Sequence, residues 1–213
     1  MNGWTTVVWF GLALSCPAMQ DTPDPMALVQ SLESESPEVR EKARKQLVTA
    51  GKPAVPALKE FVGKTTKPEA KDLGLKILDE VDWPDGGQKD GLELSIKSGK
   101  AVYSAAKDTL ELKIRLVNRS SEDKEFTFHH GLASSLFVRQ GTSDLRSLEG
   151  GCTCGTYERG AVKVKLKPGQ AERAVARFWL RGGTKGVQKI QADGGNIWPI
   201  KGPLSNTLEI TVE

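Results

Sequence analysis

The sequence predicts an α+β protein in two parts, a short helical segment followed by an antiparallel β-sandwich. Three observations lead to this fold class. Apolar residues recur at helical spacing up to about residue 81, they alternate with polar residues beyond residue 91, and turn-forming residues separate the two regions. We therefore expect a helical segment over residues 24–82, a linker over 83–90 and a sandwich over 91–213.

Residues 1–18 form an N-terminal region that predicts export. The uncharged apolar run from Val7 to Leu14 is too short to span a bilayer and has the length of a signal-peptide core. Small residues near Ala18 suit signal peptidase, which predicts a soluble periplasmic or extracellular protein without a membrane span. The first residues lack the Lys or Arg that usually begins a signal peptide. Ser15-Cys16 could instead end a lipoprotein signal, so a lipid anchor on Cys16 is the alternative.

Two helix-start signals lie 31 residues apart in the helical segment. Ser36-Pro37-Glu38 combines an N-cap residue, a proline suited to the first helical position and an acid in the first turn, and Gly51 supplies a stop. Lys67-Pro68-Glu69 repeats this chemistry, and the small residues Ala43 and Gly74 share the same offset. An internal repeat of this length predicts stacked helix pairs.

The stretches PEVREKARKQL (37–47) and GKPAVPALKEFV (51–62) resemble a HEAT-type repeat of the short bacterial form. The likeness covers residues 36–62 and continues more loosely over 67–81. It implies a helical platform of the kind often used for protein contact. The alternative is a small helical cap without a partner, since one and a half repeats are fewer than the three normally needed for stability.

Eight segments alternate between apolar and polar residues and are predicted strands. Such alternation places one side against a core and the other in water, which indicates antiparallel sheets. The segments are Leu92–Ile96, Leu110–Leu116, Phe126/Phe128, Leu136–Val138, Val162–Leu166, Val175–Trp179, Val187–Ala192 and Leu208–Val212. This number of strands, with turn signals between them, predicts a β-sandwich.

The stretch GLELSIKSGKAVYSAAKDTLELKIRLVNRSSEDKEFTF (91–128) resembles the opening strands of immunoglobulin-like domains in exported bacterial proteins and in the related bacterial proteinase-inhibitor family. LKPGQ (166–170) and SNTLEITV (205–212) fit the closing half. The likeness implies an immunoglobulin-like sandwich. Proteinase inhibition is its weaker implication, because no inhibitory loop matches residue by residue. Asn118-Arg119-Ser120 also matches a glycosylation sequon, which we interpret as a strand-end turn.

The glycine-flanked pair Cys152 and Cys154 is the main candidate for chemistry. An exported protein would hold the pair as a structural disulfide or as idle thiols. A redox role would need a helix N-terminus to lower the thiol pKa, and no helix signal follows. A metal site would need His129 or His130, yet adjacent histidines on a strand point to opposite faces. No cofactor is expected.

Composition and motifs favour binding over catalysis. The chain carries a formal charge of +3, and the excess of basic residues beyond residue 83 is spread over many strands, unlike the concentrated stripe of a nucleic-acid binder. No nucleophile motif or phosphate-binding loop is present, so we do not expect an enzyme.

We therefore predict a non-catalytic protein-binding or scaffold module of the cell envelope or exterior, with a metal or thiol-redox protein centred on Cys152 and Cys154 as the alternative. Ile197, Trp198 and Ile200 form a possible contact loop for a protein partner. The same loop could instead fold back and cap the sandwich core.

Overall fold

The computed structural model describes residues 24–104, 108–129, 131–145, 161–180, 185–195, 197 and 202–213. The chain divides into two compact units, Met1–Val81 and Asp82–Glu213. Each unit has its own hydrophobic core. The division into a helical part and a β-sheet part agrees with the change of apolar period in the sequence.

Helices build the described part of the first unit. They are α1 (Pro25–Gln30), α2 (Pro37–Ala50), α3 (Val55–Lys64) and α4 (Pro68–Val81), with 3-10 turns at Ser31–Glu33 and Lys52–Ala54. α3 packs against α4, and α2 contacts both α1 and α4. Their apolar sides enclose a small core that includes Leu32, Leu47, Leu58 and Ile77.

The internal repeat of the sequence appears as two helices of equal length. α2 and α4 each have 14 residues and begin with proline, 31 residues apart. Gly51 ends α2 with a φ of 65°, in the left-handed region that favours glycine. A Cβ on Gly74 would lie 2.7 Å from Cγ2 of Val62, so α4 approaches α3 closely at a residue without a side chain. A larger residue at this position would require α3 or α4 to shift.

Strands build the described part of the second unit. They are β1 (Gly87–Lys89), β2 (Leu92–Ser98), β3 (Val102–Tyr103), β4 (Thr109–Asn118), β5 (Lys124–His129), β6 (Phe137–Gln140), β7 (Ser143–Asp144), β8 (Ala161–Leu166), β9 (Ala171–Trp179), β10 (Gly186–Asp193) and β11 (Leu208–Val212). They form a four-stranded sheet in the order β1-β2-β4-β9, a five-stranded sheet in the order β3-β11-β10-β6-β7, and the pair β5-β8.

The core of the sandwich comes from the alternating residues that the sequence singled out. Leu92, Leu94 and Ile96 of β2 are fully buried, and so are the four apolar residues of β4 at every second position. The other sheet contributes Ile190 and Ile210 to the same cluster. Most strand pairs are antiparallel, as expected, but β3 pairs with β11 in parallel.

The predicted linker over 83–90 requires correction at its end, because Gly87–Lys89 is strand β1. Lys89 pairs with Leu92, which leaves Asp90 and Gly91 as a two-residue loop with φ values of 51° and 79°. Two positive φ angles define the turn type that matches the twist of a β-hairpin and favours Asp-Gly. The Asp90-Gly91 pair was therefore a hairpin signal that the sequence analysis missed.

The sequon residue Asn118 closes the turn at the end of β4, as predicted. It is buried, and its Nδ2 donates to the carbonyl oxygens of Glu122 at 2.7 Å and Leu166 at 2.9 Å. Its Oδ1 accepts from the backbone N–H and the hydroxyl of Ser120. The amide nitrogen that a glycan would need is thus already engaged inside the fold.

Candidate functional site

The face of the four-stranded sheet that points away from the core carries a group of charged and aromatic side chains. We call it the outer sheet face. It consists of Glu93, Ser95 and Lys97 on β2, Thr109, Glu111, Lys113 and Arg115 on β4, and Arg173, Val175, Arg177 and Trp179 on β9, with Trp83 lying on it. These residues alternate with the core residues of the same strands.

Trp83 covers one end of the outer sheet face. The side chain is 4% exposed, and its ring lies 4.4 Å from Nζ of Lys97 and 4.9 Å from Cζ of Arg115. Cations at this distance are attracted to the electron-rich face of an indole. A Cβ on Gly86 would collide with the carbonyl oxygen of Leu94, so the segment that carries Trp83 lies directly on the sheet.

Glu93 is the anionic centre beneath this cover. It is 3% exposed and accepts from Nε of Arg119 at 2.9 Å, Nη2 of Arg115 at 3.2 Å and the hydroxyl of Ser95 at 3.2 Å. Burial acts to raise the pKa of Glu93, but the hydrogen bonds and charges of Arg119 and Arg115 outweigh it, so the pKa lies below its ordinary value. Glu93 is therefore ionised at neutral pH.

Arg115 is the counterpart of Glu93 and shows the cost of burying a cation. Burial lowers its pKa, and the nearby charges of Arg119 and Arg173 act in the same direction, while Glu93 opposes them. Nε of Arg115 and Nε1 of Trp83 are buried without a hydrogen-bond partner in the described part of the chain. An unpaired buried N–H costs about 1–3 kcal/mol. This end of the face is thus a tightly packed ion cluster, and its two unpaired N–H groups reduce the stability of the fold.

The other end of the outer sheet face is open to solvent. Trp179 is 60% exposed and Val175 is 47% exposed, both on β9. Between them Nε of Arg177 lies 3.2 Å from Oε2 of Glu111 on the neighbouring strand. Tryptophan and arginine are two of the residue types that dominate the energetic centres of protein interfaces, and the exposed valine adds apolar surface beside them.

The charge of the outer sheet face is positive. Five of its residues are basic and two are acidic, so it carries an excess of three positive charges. Arg115 and Arg173 are direct cross-strand neighbours, as are Lys97 and Lys113. The positive charge is therefore concentrated on β4 and its two flanking strands, which favours acidic partners.

The residues predicted from the sequence as site candidates lie elsewhere. Cys152, Cys154, His130, Trp198, Ile200 and Cys16 are outside the described residues, so the disulfide, redox, metal and lipid-anchor interpretations stay predictions. The backbone of His129 ends β5 and pairs with Ala161. Ile197 is fully buried in the sandwich core, so it is not an exposed contact residue; burial of an apolar side chain against the core is its stable position.

The described residues show no arrangement typical of a catalytic or metal centre. No group of three or more His, Cys, Asp or Glu side chains lies within metal-binding reach in this part of the chain. A shallow depression of about 580 Å³ is lined by Gly87, Gln88, Lys89, Asp193, Gly195, Gly202, Pro203 and Leu204. Its ionisable side chains, Lys89 and Asp193, provide no nucleophile paired with a base.

No helix in the described ranges is both long and apolar enough to cross a membrane.

The residues that build the outer sheet face form no motif that the sequence alone makes visible. Trp83 falls in the predicted linker, and Glu93 and Arg115 fall at polar positions of the predicted strands. The available signal was an acid and two basic residues at facing positions on neighbouring strands, preceded by a tryptophan. Trp179 was recognised as part of a strand, but not as an exposed residue.

Comparisons with known proteins leave the family open. No family model matches the chain, and no curated protein matches it. Solved structures that are similar include a CARDB domain from Pyrococcus furiosus in complex with di-metal ions, at 13% identity and a TM-score of 0.36, covering 57% of this chain and 87% of that one.

Two enzymes are also among the similar structures. A β-glucosidase from Erythrobacter marinus is 13% identical, with a TM-score of 0.32, and the match covers 57% of this chain and 15% of the enzyme. An alkylpurine DNA glycosylase from Pseudomonas fluorescens, bound to DNA, is 11% identical with a TM-score of 0.32, over 87% of this chain and 51% of the enzyme. Likenesses this weak carry no argument about function, and the β-sandwich rests on the strand pairing itself.

Proposed function

We propose that this protein is a non-catalytic protein-binding module and that the outer sheet face is its contact surface. The observation that carries the proposal is the exposure of Trp179, 60% accessible on a regular strand. A large aromatic side chain in water forgoes the stabilisation that burial would give it, which amounts to about 1.5–3 kcal/mol for side chains of this class. Burial against a partner would recover that free energy.

The setting of Trp179 supports this role. Its strand is held along its length by β4, so the ring is presented by a rigid element rather than by a loop. A rigid anchor loses little conformational freedom on binding, which favours affinity. Val175 and Arg177 lie on the same face of β9 and extend the contact beyond a single residue.

The remaining assignments belong to the same proposal. The helical unit is a HEAT-like platform and the second unit an immunoglobulin-like sandwich, both familiar scaffolds for protein contact. The apolar N-terminal run supports export, which would place the outer sheet face at the cell envelope or exterior. Processing before Cys16 would attach the protein to a membrane through a lipid on that residue. Cleavage near Ala18 would release it without an anchor.

A differential capture experiment tests the proposal. Immobilised full-length protein is incubated with an envelope or culture fraction of its source, and the retained proteins are compared with those on Trp179→Ala. We expect a protein that the wild type retains and that Trp179→Ala binds at least about 30-fold more weakly, because removing an interface hot spot costs about 2 kcal/mol or more.

The matched control is Phe137→Ala, an exposed aromatic residue on β6 in the other sheet. This variant should retain the same protein as the wild type. Identical retention by wild type and Trp179→Ala would contradict the assignment of the contact surface.

A further inference from the structure

Among the described residues, β9 offers the longest edge of the four-stranded sheet that no other strand pairs with. β9 has nine residues and is the last strand in the order β1-β2-β4-β9. Within the described part of the chain, its ladder partner is β4 on one side and no strand on the other. In an antiparallel ladder every second residue directs its N–H and C=O away from its neighbour, so about four residues of β9 present these groups at the edge.

The side chains of β9 give this edge a charge pattern. Arg173, Val175, Arg177 and Trp179 alternate along the outer face as basic, apolar, basic and apolar. Opposite charges directly across a strand pair stabilise it, and like charges destabilise it. An added strand that fits this pattern would carry acidic and apolar residues in alternation on the same face.

A second copy of the chain is a poor occupant of the same edge. Antiparallel pairing of β9 with itself about Val175 would set Arg173 of one copy against Arg177 of the other. The repulsion between the two guanidinium groups disfavours this pairing, as charged residues on edge strands commonly do. An acidic chain meets no such repulsion and would be attracted to both arginines.

We infer that the edge of β9 accepts an extended acidic–apolar segment of a partner protein as an additional β-strand. This inference rests on the proposed function and specifies its partner class. Main-chain hydrogen bonds to β9 supply affinity, acidic residues facing Arg173 and Arg177 set the register, and apolar residues cover Val175 and Trp179. Arg177 would either leave its present partner, Glu111, for the incoming carboxylate or bind both carboxylates.

A synthetic peptide tests the inference on the full-length protein. The probe is TETVTETLT, blocked at both ends, in which Glu, Val, Glu and Leu occupy one face and Thr the other. Binding is measured by fluorescence anisotropy of a labelled probe at 50 mM salt. The location is read from amide and Trp179 indole shifts in NMR spectra.

We expect shifts confined to β9 and its neighbours, and at least tenfold weaker binding by Arg177→Glu. The matched control is Arg139→Glu on β6, because Arg139 is a similarly half-exposed arginine that is paired with Asp144 at 3.3 Å. This variant should bind the probe as the wild type does. The charge-reversed probe TKTVTKTLT should bind at least tenfold more weakly.

A third probe separates edge pairing from simple charge attraction. TETVTETLT with N-methyl groups on alternate residues keeps its charges and loses the donors that would face β9, so it should bind at least tenfold more weakly. Equal binding of the methylated probe, equal binding by Arg177→Glu, or no binding at millimolar concentration would each overturn the inference. If a single-stranded oligonucleotide bound more tightly than the peptide, and Arg177→Glu abolished that binding, the inference of a protein partner would be overturned in favour of a nucleic acid.

The peptide and capture experiments can fail separately. A partner that is retained by the wild type and lost by Trp179→Ala, together with a negative peptide result, would keep the contact surface and reject strand addition. If the probe does not bind and Trp179→Ala retains the same proteins as the wild type, the contact surface is rejected as well.

Discussion

Replacing Trp83 with alanine tests whether this single side chain holds the segment before β1 on the outer sheet face. Trp83 is 4% exposed and contacts the cationic groups of Lys97 and Arg115. Truncation of a buried tryptophan costs about 3–5 kcal/mol. Removing its unpaired N–H returns about 1–3 kcal/mol. We therefore expect the sandwich to lose about 2 kcal/mol.

Hydrogen exchange of the backbone amides of β2 and β4 in the full-length protein measures this loss within the sandwich alone. A change of 1.36 kcal/mol corresponds to a factor of ten, so protection should fall about 30-fold in Trp83→Ala. Trp83→Phe should lose far less, about 1 kcal/mol, because it keeps most of the buried ring and removes the unpaired N–H.

The matched control for Trp83 is Trp179→Ala, which removes the same side chain from an exposed position on the same sheet face. Surface substitutions usually change stability by no more than about 0.5 kcal/mol, so protection should change by no more than about twofold. The reasoning is refuted if Trp83→Ala changes protection less than threefold, or if Trp83→Phe is as damaging as Trp83→Ala.

Three further predictions concern the ion cluster and the two cysteine-bearing regions. Glu93→Gln should destabilise the sandwich by about 3 kcal/mol at pH 7, because it leaves buried Arg115 without its counter-charge. Folding lowers the pKa of Glu93, so the difference in unfolding free energy between wild type and this variant should have its full size above pH 4.5, the ordinary pKa, and shrink as the pH falls below it. Urea titrations at pH 3–7 measure this difference, and a difference that does not change with pH would contradict the linkage. Replacing Cys152 and Cys154 with serine should leave the sandwich folded and its partner binding unchanged, as judged by circular dichroism and capture, and loss of stoichiometric metal would overturn that expectation. Mass spectrometry of protein from its native source should find residues 1–18 removed or lipid on Cys16, and an intact Met1 in most molecules would contradict export.

The main strands were predictable because burial and alternation coincide in them. Each apolar residue of β2 and β4 that alternates in the sequence is buried in the core. The two helix starts were predictable for a similar reason, since Pro37 and Pro68 both occupy positions where a missing N–H costs nothing. These signals are local, and the packing follows them.

Which face of β9 is buried was not predictable from alternation. Ala174, Ala176 and Phe178 form one apolar face, while Val175 and Trp179 contribute to the other. Alternation cannot decide which face is inside when both are partly apolar. The structure puts Phe178 in the core and leaves Trp179 outside, and this choice depends on the register with β4.

The Trp83–Glu93–Arg115 cluster was beyond sequence reasoning for a different reason. Its members are separated by up to 32 positions and meet only because β2 and β4 pair in one register and the preceding segment lies across them. Short strands such as β3 and β7, with two residues each, also escape periodicity, which needs several residues to be visible.

The two ends of the outer sheet face have complementary roles that follow from their shared strand. β4 carries Arg115 at the covered end and Glu111 at the open end, so the cluster beneath Trp83 fixes the same strand against which β9 is paired. A buried ion cluster contributes little net stability but tolerates few alternative geometries. At the open end β9 pairs with β4 in the register that leaves Trp179 exposed and Arg177 beside it. Exposed apolar residues on an edge strand promote self-association, and the arginines of β9 oppose it by repulsion between copies. The combination of a fixed tryptophan and edge arginines disfavours self-pairing while leaving an attractive surface for an acidic partner.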